Sequence, residues 1–198
     1  ADAYAERGEY FSSHKQVDKA LDDFNKSIEL DDTLGEAYYG RGIIHSDKEN
    51  YDEAIADYNK AVELLGEDSD IYTSRGAAIF YLDDWEGAKA DFTKALEIDE
   101  ENVRAMNNRA VVEFCLEEYE AAREDYEKAL QFLPTERLLL GGLAITLHAI
   151  DENDERAQEA WRGLIQLDPR YRDAKWTGQE LLWPDPLVNE AEKLIAKL

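Results

Sequence analysis

The sequence predicts an all-α fold: five antiparallel helix pairs followed by carboxy-terminal capping helices. Two observations carry this. One pattern recurs every 34 residues, with Ala20, Ala54, Ala88 and Ala122 each followed four positions later by Phe24, Tyr58, Phe92 or Tyr126. Arg7, Arg41, Arg75 and Arg109 keep the same register, as do Asp23, Asp57, Asp91 and Asp125. A period held over four units marks one supersecondary module stacked in a row, because a single module cannot bury its apolar face alone. Within each period the apolar residues follow helical spacing, as in Ala54, Tyr58, Ala61, Val62 and Leu65.

The elements follow in order. The units span 1–34, 35–68, 69–102, 103–136 and 137–171, read as one continuous domain, and capping helices fill 171–198. In the second unit the helices are expected at about 36–48 and 52–64, with Asp52 as a cap. Stops after the second helices are Asp31-Asp32, Gly66, Asp99-Glu100, Pro134 and Asp168-Pro169. One residue is inserted in the fifth unit, so that Ala157, Trp161, Leu164 and Pro169 take the repeat positions while Leu143 and Ala160 replace the Arg and Asp. Both charges vanish together. Their joint loss suggests that the two residues pair between helices, as Arg75 with Asp91. An alternative is an Asp–Lys pair along one helix, since Lys26, Lys60, Lys94 and Lys128 recur three positions after each Asp and Gly163 replaces them in unit five. In the tail, helices are expected over 171–182 and 187–198, broken by Trp183-Pro184-Asp185-Pro186. The second carries an apolar stripe, Leu187, Val188, Ala191, Leu194, Ile195 and Leu198, suited to capping the array or to pairing with a second molecule.

These residues resemble the tetratricopeptide repeat, with aromatic and small residues on the first helix and Ala, aromatic, Ala and Pro on the second. Tyr4, Arg7, Gly8, Phe11, Ala20 and Phe24 fit the first unit; Tyr72, Gly76, Ala88, Phe92 and Ala95 fit the third. The family's first-helix Leu is replaced by Arg in four units. The resemblance covers about residues 1 to 170 and implies a right-handed superhelical solenoid that binds proteins. Asp173, Trp176, Trp183, Pro184 and Leu187 look like the end of tetratricopeptide proteins of cyanobacteria and plastids, some of which are assembly factors for photosynthetic membrane complexes.

Composition narrows the partners. The 22 basic and 46 acidic residues give a net charge of −24, which repels phosphate backbones and anionic lipid. From residue 156 onward there are seven basic and seven acidic residues, so the acidic surplus lies in the first 155. Nucleic acid is not an expected partner, nor is direct membrane insertion, since the longest uncharged run, Leu138 to Ile150, has thirteen residues against the roughly 20 that a bilayer needs. No signal peptide is visible. A single cysteine, Cys115 in an apolar stretch, suits a buried thiol and a reducing compartment, cytoplasm or plastid stroma.

In the resembled family the first helix of each unit lines a concave groove. That frame gives Asp2, Glu6, Glu9, Glu36, Tyr39, Ile43, Asp70, Thr73, Ala77 and Phe80 in units one to three. It gives Arg104, Asn107, Asn108, Val111 and Phe114 in unit four, and Leu138, Gly141, Gly142, Ile145 and His148 in unit five. The groove would pass from acidic through amide-rich to apolar, fitting a peptide with a basic part and an apolar part. The competing reading is a solvated acidic face whose apolar residues cover a neighbouring helix. The charged clamp for chaperone tails is not expected, because only Asn108 matches it while Thr73, Ala77, Leu138 and Gly142 carry neither charge nor amide. Gly141 and Gly142 lie mid-helix at a cost of up to about 1 kcal/mol each, so another backbone, a ligand or the tail, should approach them. No cofactor, metal site or enzymatic activity is expected: His14, His45 and His148 have no ligand spacing, and no phosphate loop follows a strand. The alternative function is a structural oligomer, a dimer through Leu187–Leu198.

Overall fold

A computed structural model describes all 198 residues, which form twelve α-helices and one 3-10 turn. They fall into two compact units, Ala1–Glu100 and Glu101–Leu198.

The first unit contains α1 (Asp2–Ser13), α2 (Val17–Leu30), α3 (Gly35–Asp47), α4 (Tyr51–Leu65), α5 (Ser69–Phe80) and α6 (Trp85–Ile98). Each consecutive pair forms an antiparallel hairpin, and the recurrent Ala and aromatic residues of the second helix make its core: Ala20, Phe24, Ala54, Tyr58, Ala88 and Phe92 are all at most 1% exposed. Asp68 caps α5 by accepting from the backbone N–H of Asp70 and Ile71. Asp52 is not a cap: it lies inside the first turn of α4, after Asn50, where its charge favours the positive end of the helix dipole.

The Arg–Asp pairs close each hairpin. Arg41 donates from Nε and Nη2 to the two carboxylate oxygens of Asp57 at 2.8 and 2.7 Å, and Arg75 holds Asp91 the same way at 2.7 Å twice. Arg7 holds Asp23 at 2.6 and 2.7 Å, although its side chain is 56% exposed. Two of these guanidiniums have a third use. Arg41 Nη1 donates to Asn25 of α2 at 2.8 Å, and Arg75 Nη1 to Asn59 of α4 at 2.7 Å, so one planar fork ties its own hairpin and the preceding one. The recurrent lysines pair elsewhere, Lys26 with Glu29 and Lys60 with Glu63. The interhelical reading is the one realised. At each turn between paired helices one residue takes left-handed backbone, Lys15, Glu49 and Asp83 with φ of 56°, 61° and 61°.

The second unit contains α7 (Val103–Cys115), α8 (Tyr119–Phe132), α9 (Arg137–Ile150) and α10 (Glu155–Leu167). The 3-10 turn Pro169–Arg172, α11 (Ala174–Leu181) and α12 (Asp185–Ile195) complete it. Arg109 and Asp125 repeat the bidentate pair at 2.6 and 2.7 Å, and Glu117 repeats the left-handed turn. The α9–α10 hairpin is held by aromatics. Trp161 is fully buried, its Nε1 donates to the Tyr171 carbonyl at 3.0 Å, and it packs on Tyr171 and Trp183.

The tail differs from the sequence expectation at both helix starts. Asp173 caps α11 through the N–H groups of Lys175 and Trp176, so the helix begins at Ala174 and residues 169–172 form the 3-10 turn. Pro184 and Pro186 do not delay α12 to Leu187, because proline is tolerated in a first turn, where its missing N–H is not needed. Cys115 is buried, and burial pushes its thiol up to about 12.

Candidate peptide-binding faces

Two faces correspond to the predicted groove, one in each unit. In the first, α1, α3 and α5 lie side by side. Asp2, Glu36 and Asp70 occupy one repeat position, and with Glu6 and Glu9 they are exposed. Tyr39, Ile43, Ala77 and Phe80, further along α3 and α5, are half-buried. The Tyr39 hydroxyl reaches from α3 to Ser74 Oγ of α5 at 3.3 Å, which fixes the ring across the two helices. Thr73 does not belong to this face: it is 0% exposed, and its hydroxyl donates to the Ser69 carbonyl at 2.7 Å, the usual back-bond of a threonine inside a helix. What remains is a face with carboxylates at the helix starts and along α1 and half-buried aromatic and aliphatic residues on α3 and α5.

In the second unit α7 presents Arg104, exposed, and Asn107, Asn108 and Val111, half-buried. Asn107 donates from Nδ2 to Asn108 Oδ1 at 3.1 Å. The α9 positions are closed. Ile145 is 0% exposed, a core residue and not a groove residue. Gly142 faces α8: a Cβ there would lie 2.3 Å from Tyr126 Cζ, so the glycine makes room for the Tyr126 ring and not for a ligand. Gly40 does the same for Phe24 in the first unit, with 2.4 Å to Cζ. Gly141 faces the tail, where a Cβ would meet Trp183 at 3.0 Å. His148 Nδ1 bonds Glu190 Oε1 of α12 at 2.6 Å, both side chains buried. The uncharged stretch that reads as a groove end therefore lies under the chain's own α12. The stripe of α12 is spent in the same contact, with Leu187, Ala191 and Leu194 each 0% exposed.

Sequence reasoning missed the His148–Glu190 pair. The partners are 42 residues apart with no motif between them, and the only hint was a carboxylate beside Ala191 on an otherwise apolar helix face. None of the twelve helices is long and apolar enough to cross a membrane.

A stack of hairpins with the Ala–aromatic core and small residues at these close approaches defines the tetratricopeptide class. Residues 35–68 and 103–136 each match the tetratricopeptide repeat model, so the chain carries tetratricopeptide repeats in these two segments. The fold is similar to that of YrrB, described as a tetratricopeptide protein with an unusual peptide-binding site. The two are 23% identical, with 96% of this chain and 90% of that one covered at a TM-score of 0.72. It is similar as well to MamA, at 20% identity, covering 85% of this chain and 92% of the other, with a TM-score of 0.73. At such identity both show the fold alone. The first tetratricopeptide domain of Spaghetti, solved with an HSP90 peptide, is 25% identical over 59% of this chain and 92% of its own, with a TM-score of 0.57. No curated protein sequence matches the chain.

Proposed function

We propose that this protein is a non-catalytic scaffold that binds a protein segment carrying basic and apolar side chains. The observation that carries the reading is the α1–α3–α5 face, where Asp2, Glu36 and Asp70 at the helix starts and Glu6 and Glu9 of α1 are exposed while Tyr39, Ile43 and Phe80 are half-buried. Carboxylates at this density attract a basic chain at long range, while an apolar floor supplies contact that salt does not screen. The peptide sites of YrrB and Spaghetti support a peptide as the ligand class. An HSP90 tail is not proposed, because Thr73, Ala77, Leu138 and Gly142 stand where its charged clamp would be needed.

The direct test is fluorescence anisotropy with a labelled peptide of alternating lysine and leucine. Binding should weaken at least tenfold in Glu36→Lys/Asp70→Lys, and again in Tyr39→Ala. Absence of binding, or equal affinity in all three proteins, sinks the reading. The finer role, holding a subunit during assembly of a photosynthetic membrane complex from the cytoplasm or plastid stroma, rests on the Trp176, Trp183 and Pro184 resemblance alone. It is tested by the proteins that co-purify with the tagged chain from cells containing such complexes.

A further inference from the structure

We infer that the α7–α9 face is a docking site for an amphipathic helix of a partner protein, and that α12 is the chain's own stand-in for that helix. This rests on the scaffold reading above and extends it to a second surface and a second kind of ligand, a helix in place of a basic segment.

The seating of α12 is that of a ligand helix. It runs along α9 in the same direction, with Trp183 against Gly141, Glu190 on His148 and Lys197 on Glu152, and it also packs on α7 and α10. Its buried face reads Leu187, Glu190, Ala191 and Leu194, a spacing that puts two leucines and a carboxylate on one side of a helix. The carboxylate is specific, because His148 offers it a buried ring nitrogen at 2.6 Å. A partner helix with leucines seven residues apart and an acidic residue three positions after the first would present the same groups.

Three features make α12 the segment that can leave. Its joint to α11 is strained: Leu182 has φ of 54°, a left-handed conformation unfavourable for a branched side chain, and is 77% exposed. The seam holds its polar groups by few protein contacts: His148 Nε2 and Trp183 Nε1 are buried there and bond no protein atom. Beside His148 the seam opens into a cleft of about 530 Å³ lined by Tyr119, Glu152, Glu190, Lys193 and Lys197. Finally, α12 has eleven residues, too few to persist alone, and its docking sets two leucines and an alanine against the ordering of the whole segment. The α9–α10 hairpin keeps its own anchor, Trp161 bonded to the Tyr171 carbonyl.

Hydrogen exchange on the full chain reads this first. The amides of α12 should exchange at least tenfold faster than those of α9 and α10, and exchange in step with them overturns the proposal. The second measurement uses full-length Leu187→Asp/Leu194→Asp, in which α12 is released, and a labelled peptide with the sequence of residues 184–198. The peptide should bind this variant and bind the unaltered chain at least a hundredfold more weakly, since a tethered helix competes at millimolar effective concentration. His148→Ala added to the variant should weaken binding at least fivefold. A variant that keeps its other helices yet ignores the peptide, a variant that loses all helicity, or an unaltered chain that dimerises by exchanging α12 each overturns the proposal. The lysine–leucine peptide run on the same variant separates the two readings: its binding reports the α1–α3–α5 face whatever becomes of α12.

Discussion

The hairpins α1–α2 to α7–α8 are each tied by a bidentate Arg–Asp pair, whereas α9–α10 has Leu143 and Ala160 at those positions and closes around Trp161. The two solutions have different consequences. An arginine fork reaching an Asp on its own hairpin and an Asn on the preceding one holds neighbouring hairpins in register while leaving the first-helix face uncovered, as α1, α3 and α5 show. An aromatic closure needs cover on its apolar side, which the tail supplies through Tyr171, Trp183 and α12. In the first unit the charged clasp goes with an open face, and at α9–α10 aromatic packing goes with a closed one.

The largest effect should come from the aromatic side of this comparison. Trp161→Ala leaves a large cavity and an unpaired Tyr171 carbonyl, and should cost about 3–5 kcal/mol in chemical denaturation. A loss below about 1 kcal/mol would mean that the fifth hairpin is held by something else. On the charged side, Arg75→Leu strands the nearly buried Asp91 carboxylate and should cost about 2–3 kcal/mol, while Arg75→Leu/Asp91→Leu recovers most of it. Additive losses would show that the pair is not a unit. The turns offer a smaller gain: Glu49→Gly and Asp83→Gly relieve left-handed backbone and should each raise stability by up to about 1 kcal/mol, read as a higher melting temperature. Smallest is the acid response of the unit-five cap. The Arg170 guanidinium and the Arg170 backbone N–H hold the Asp168 carboxyl down to about 2. A depressed carboxyl stabilises the fold fully above its ordinary value and loses that contribution as pH falls through about 2. Its side-chain NMR signal should titrate near there, and Arg170→Gln should return it toward the ordinary carboxylate range.

The repeat register, the helix pairs and the Arg–Asp clasp were legible, the last because both partners disappear together in unit five. Less legible was which side of a first helix faces outward. Thr73, Gly142 and Ile145 share groove positions with Tyr39, Asn108 and Val111, yet the structure buries all three. Period alone cannot separate an outward position from one turned toward the preceding hairpin when the residue is small or apolar. For Gly142 the sequence held an unread signal: Gly40 stands three periods upstream, and each faces the aromatic of the preceding second helix. The seat of α12 was not legible at all, since an apolar stripe fits any apolar cover.

The first-unit face stands open for a ligand, while the second-unit face is occupied by the chain itself. This contrast is tested most directly by titrating the isotope-labelled full chain with the lysine–leucine peptide and following backbone amide shifts. Saturable changes are expected in α1, α3 and α5 alone, reduced by salt, with α7, α9 and α12 unmoved. Changes centred on α9 and α12, or on the second helices α2, α4 and α6, would contradict it.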